Sequence, residues 1–145
     1  MKKGISLGTA ALLLGAIVAQ SPALAADPAA CSLATLHGTL SWYTTATTIG
    51  VPNSASSGFE SYDGAGHMKY TELWSDGFTT QTYSGTGTYT ITAGCIASVT
   101  YDGVGPAFVY FVAPDGSSYV WSNNQNTGTV AAGRAERVSH DLLVK

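Results

Sequence analysis

The 145-residue chain is short of charge. Asp, Glu, Lys and Arg together make up 10% of it, against about a quarter in an ordinary soluble domain. Basic residues are scarcest: six Lys and Arg stand against nine Asp and Glu. No cationic patch is available to neutralise phosphates or anionic headgroups, which argues against a nucleic-acid partner or a polybasic membrane anchor. No metal-ligand spacing, phosphate-binding glycine loop or Gly-x-Ser-x-Gly elbow occurs, so no metal and no cofactor is expected. His37, His67 and His140 are isolated and read as structural or exposed residues. Beyond the N-terminus there is no helical periodicity and no long apolar run.

The one long apolar stretch runs from Leu7 to Val18, after the basic start Lys2-Lys3 and before the small-x-small sequence Ala23-Leu24-Ala25. This is the pattern of a secretion signal. Residues 1–25 are therefore expected to be a signal peptide and 26–145 a single exported domain, periplasmic or extracellular. Without Lys2 and Lys3, four Lys and Arg remain against nine Asp and Glu, a net charge of −5. The two cysteines, Cys31 and Cys95, form an even pair in an exported chain and read as one disulfide. Such a loop would stabilise the fold by roughly 4 kcal/mol in the chain-entropy model.

What the chain has in quantity is glycine, threonine, serine and tyrosine. Four Asp-Gly pairs, at 63–64, 76–77, 102–103 and 115–116, are strong hairpin signals because both turn positions tolerate positive φ. Cutting at these pairs, at Ala93-Gly94 and at the polar run 122–128 leaves eight segments rich in Thr, Val, Tyr and Trp: 36–45, 58–62, 67–74, 78–91, 95–101, 107–113, 117–121 and 129–138. They predict strands. The fourth is long and holds Gly85 and Gly87, where a bulge or bend is expected. Sequential strands joined by tight turns predict an all-β, eight-stranded antiparallel up-and-down barrel, which removes exposed edges by closing. The alternative is a β-sandwich.

In a meander, Cys31 and Cys95 fall at the same end, and the segment 31–35 must cross that end and plug it. The opposite end collects the polar stretch 46–57, expected to be a long loop able to act as a lid. It also collects Trp42, Trp74 and Trp121, with Phe59 and Phe108 near strand starts. Alternation puts Glu72 on one face with Met68, Tyr70 and Trp74, Glu60 with Tyr62, and Arg134 with Glu136. An aromatic rim beside a long loop predicts a ligand mouth built from Trp42, Phe59, Tyr70, Glu72, Trp74, Phe108 and Trp121. With Glu72 inside, alongside Tyr70 and together with Glu60 and Arg134, a desolvated carboxylate could act as acid or base. The reading is a barrel that binds a small apolar or aromatic molecule. Two alternatives stay open: a cofactor-free isomerase or cyclase using Glu72 and Tyr70, and a protein-binding module such as an inhibitor of an exported hydrolase.

The run Ser84-Gly85-Thr86-Gly87-Thr88-Tyr89-Thr90-Ile91-Thr92-Ala93-Gly94-Cys95, with Cys31-Ser32-Leu33 and the closing Gly133-Arg134-Ala135, resembles a group of small exported bacterial proteins. Their frame is similar to calycin-type or allene-oxide-cyclase-like barrels. The resemblance implies that Gly87 and Tyr89 shape a strand and that Cys95 serves a disulfide. No catalytic motif of a cyclase carries over, so it implies the barrel and leaves the activity open.

Overall fold

In a computed structural model, residues 30–50, 52–122 and 128–145 are described. The expected signal peptide 1–25 and most of the 122–128 run lie outside them. Eight strands follow one another around a closed antiparallel barrel: β1 Gly38–Thr48, β2 Ser54–Tyr62, β3 His67–Ser75, β4 Thr80–Ile91, β5 Ile96–Tyr101, β6 Val104–Val112, β7 Ser118–Ser122 and β8 Thr129–Ser139. The ring closes where β1 pairs with β8 from Thr39 to Thr48, with an irregularity at Thr39/Leu40. Closure leaves no strand edge exposed. The Asp-Gly turns form as expected, with Gly64, Gly77, Gly103 and Gly116 all at positive φ.

Two expectations about chain path are corrected. The 46–57 stretch is not a lid. Its Thr and Ser residues continue the strands, with Thr44 opposite Ser56 and Ala46 opposite Ser54, so the connection shrinks to the few residues after Thr48. Short hydroxyl side chains fit an outward or half-solvated strand position as well as a loop, and the β1–β8 ladder holds them extended. The second correction concerns β4, which carries no bulge at Gly85 or Gly87: its registers with β3 and β5 run without a shift. These glycines instead face the lumen. A Cβ on Gly85 would sit 2.9 Å from the Tyr70 ring, so the glycine makes room for that ring.

The barrel is packed at one end. Cys31 and Cys95 are disulfide-bonded with Cα atoms 5.1 Å apart. The chain between Cys31 and β1 makes a short 3-10 turn, Leu33–Leu36, that lies across this end as expected, with Leu36 fully buried. Tyr89 donates its hydroxyl to the Leu33 carbonyl at 3.0 Å. Arg137 donates to the carbonyls of His37, Thr35 and Gly116, so orphan carbonyls of the plug receive a charged donor. Above it Leu40, Tyr62, Met68, Tyr89, Ala97, Val99, Val112, Tyr119 and Ala135 form the closed half of the core. Outside, the C-terminal segment is tied to β1 and β2: Thr39 and Ser61 share a 2.7 Å hydrogen bond and accept from the Leu143 and Val144 amides.

Candidate functional site

β2 alternates in and out, and its inward residues near the closed end are Glu60 and Tyr62. Glu60 is 1% exposed. Tyr62 donates to its Oε2 at 2.5 Å, and Tyr119 of β7 donates to the same oxygen. On Oε1, Tyr101 of β5 donates and Tyr110 of β6 reaches within 3.4 Å. The hydroxyls of Tyr101 and Tyr110 also meet at 2.6 Å. One carboxylate thus collects four phenols from four strands. An unpaired charge at this depth would cost several kcal/mol. The phenols supply charge-assisted hydrogen bonds in place of water. Burial still raises the Glu60 carboxyl above its ordinary value, against the opposing pull of the hydrogen bonds. Burial, and then the neighbouring Glu60 charge, holds the hydroxyls of Tyr62, Tyr101, Tyr110 and Tyr119 well above the normal phenol range.

Above this cluster the lumen opens into a cavity of about 210 Å³. Its walls are Trp42, Tyr70, Phe108 and Trp121. Glu60, Tyr101 and Tyr110 also contribute, with Thr44, Glu72 and Val104 completing the lining. Tyr70–Tyr101, Tyr101–Phe108 and Phe108–Trp121 meet edge to face, with centroids 4.9, 5.5 and 5.5 Å apart, an arrangement that aromatic quadrupoles favour. Gly133 of β8 is the reason the Trp121 indole can lie where it does: a Cβ there would overlap its ring nitrogen. Three polar groups of the lining residues, the Trp42 indole N–H, the Tyr70 hydroxyl and the Glu72 carboxylate, make no hydrogen bond to a described residue. The Trp42 indole N–H is buried and makes no hydrogen bond. Glu72, half-buried, is in no hydrogen bond or ion pair with a described residue, although its charge acts on the Tyr70 hydroxyl, which burial and then Glu72 raise.

Of the sequence-predicted site residues, Trp42, Tyr70, Glu72, Phe108 and Trp121 come together in this cavity. Trp74 keeps the parity of Tyr70 and Glu72 but lies further toward the rim, opposite Ser56 and Gln81, and is not part of the lining. Trp42 sits mid-strand rather than at a strand end, and none of the three tryptophans lies at the disulfide end. Phe59 is on the outer wall, 41% exposed, because its neighbour Glu60 takes the inward position. Arg134 is also outside, paired with Glu136 on the exposed face of β8, since Gly133 and Ala135 face in. His37, His67 and His140 are exposed. Tyr110 and Tyr119 were not singled out from sequence. The signal was present: alternation places Tyr110 with Phe108 and Tyr119 with Trp121. Among the described residues no group of three or more His, Cys, Asp or Glu is placed to hold a metal.

No family model matches the chain, and no curated protein matches it. Among solved structures, a redesigned β-barrel, mFAP1, bound to DFHBI, is similar to it with 20% sequence identity and a TM-score of 0.45, over 73% of this chain and 98% of that one.

Proposed function

We propose that the protein is an exported barrel that binds a small aromatic molecule in its open half. The observation that carries this reading is the cavity itself. It has aromatic walls on several sides, and one of those walls, Trp42, holds a buried N–H with no protein acceptor. An unfilled donor at this depth costs about 1–3 kcal/mol, and a ligand oxygen would recover it once the indole turns its N–H toward the cavity. An apolar cavity of about 150 Å³ holds benzene. The volume of about 210 Å³ here suits one ring with a short substituent rather than a long lipid. Stripping such a ring of water contributes about 25 cal/mol per Å² before association costs. The open half favours a ligand over a filled barrel acting through its outer surface. The Cys31–Cys95 bond fits an oxidising compartment.

The test compares benzaldehyde with toluene by calorimetry. The ring is shared, and only benzaldehyde has an acceptor. Both should bind, benzaldehyde tighter by roughly fivefold, the worth of one net hydrogen bond. Trp42→Phe should erase the difference while keeping toluene binding. Failure of both compounds to bind would remove the cavity as a ligand site.

A further inference from the structure

We infer that the ligand is a cation: an arylalkylamine whose ammonium group lies beside Glu72 while its ring occupies the aromatic cavity. The inference rests on the binding function proposed above and names the chemistry of the ligand. Two acids, Glu60 and Glu72, and no base are among the residues lining the cavity. The two carboxylates differ in what they need. Glu60 is fully engaged by four phenols. Glu72 has no hydrogen bond and no salt bridge to a described residue. The nearby bases point elsewhere. Lys69, its neighbour on β3, is on the outer face, Arg134 is paired with Glu136 outside, and Arg137 is spent on plug carbonyls at the closed end. Among the described residues, no cationic side chain pairs with either acid.

The rings give the same sign. The faces of Trp, Tyr and Phe carry negative quadrupole charge, and a cation over them is attracted, more strongly when desolvated. Trp42, Tyr70, Phe108 and Trp121 bring such faces and edges to the same space as Glu72. An anionic ligand would meet two acids and no base. A neutral ring would leave Glu72 unpaired in a half-buried position. An amine carrying a phenol pairs its ammonium with Glu72 and leaves its hydroxyl to the polar groups of the same lining, the Tyr70 hydroxyl among them.

Three near-isosteres separate the alternatives by calorimetry on the purified protein at pH 7: tyramine, neutral 4-ethylphenol and anionic 3-(4-hydroxyphenyl)propionate. Tyramine should bind roughly tenfold tighter than 4-ethylphenol, as expected for a partly desolvated ion pair with cation–π contact, and the propionate should bind weakest. Glu72→Gln should bring tyramine and 4-ethylphenol to within about twofold. Because Glu72 is half-buried and holds no hydrogen bond or salt bridge to a described residue, this variant should fold normally. As a second measure on the unmodified protein, raising the salt tenfold should narrow the tyramine advantage. If 4-ethylphenol binds as tightly as tyramine, or the Glu72→Gln variant keeps the tyramine preference, the cation inference is overturned while the aromatic-binding function stands. If none of the three binds, both fall together.

Discussion

Glu60 and Tyr62 stand two residues apart on β2, so both enter the lumen, and the Tyr62 hydroxyl donates to the Glu60 carboxylate at 2.5 Å. This contact begins the polar cluster on which the aromatic cavity rests, and it makes the barrel core sensitive to pH. The folded protein holds the Glu60 proton more tightly than the unfolded chain does, because burial raises its carboxyl. Stability from this group is fully present below the unfolded glutamate value of about 4.3 and is lost as pH rises through the higher folded value. Glu60→Gln removes the titration. The wild-type stability minus that of Glu60→Gln, from guanidinium unfolding, should fall as pH rises above the unfolded value of about 4.3. A difference that is flat or rises with pH would contradict the burial effect.

The phenols should also differ among themselves. Tyr119→Phe deletes a direct donor to Oε2 and should cost about 1.5–3 kcal/mol, the range for hydrogen bonds to charged groups. It keeps the ring stacked on Tyr110 at 4.3 Å, so the loss reports the hydroxyl. Tyr110→Phe removes a longer 3.4 Å approach to Oε1 and the 2.6 Å contact with Tyr101. It should cost less, about 0.5–1.5 kcal/mol. Urea midpoints of the two variants check the order.

Replacing Cys31 and Cys95 with Ala should lower stability by about 4 kcal/mol, since the bond spans 64 residues and closes a long loop. The loss should appear first at the closed end. Amide exchange at Val112, which donates to the Cys95 carbonyl, should rise more than exchange across the β1–β8 ladder.

Gly133→Ala and Phe59→Ser make opposite predictions about the ligand. The alanine methyl would overlap the Trp121 indole and push the ring into the cavity, so benzaldehyde affinity should drop roughly tenfold, the scale of a displaced contact. Phe59 is on the outer wall, so its replacement should leave affinity within about twofold. Calorimetry on both variants gives the answer. A strong loss with Phe59→Ser would place the ligand outside the barrel.

The sequence by itself determined the strand count, the meander and the end-to-end polarity of the barrel. Asp-Gly turns and alternation are local signals, and hairpin connection fixes which strand ends lie together. Cys31 and Cys95 could therefore be matched, the plug after Cys31 anticipated, and Tyr70, Glu72 and Trp74 given one face. Only the tertiary structure decided which carboxylate is buried. Alternation says that Glu60 and Tyr62 share a face; it does not say that Tyr101, Tyr110 and Tyr119, far along the chain, arrive at the same carboxyl group. Their meeting depends on the curvature and stagger of the closed sheet, which no local pattern encodes. The same holds for Phe59 and Arg134, whose outward positions followed once the register put Glu60 and Ala135 inside. The strand length around Thr48 and Ser54 was hidden for another reason: a Ser- and Thr-rich run has the composition of a loop, and the ladders with β8 on one side and β3 on the other keep its two halves extended.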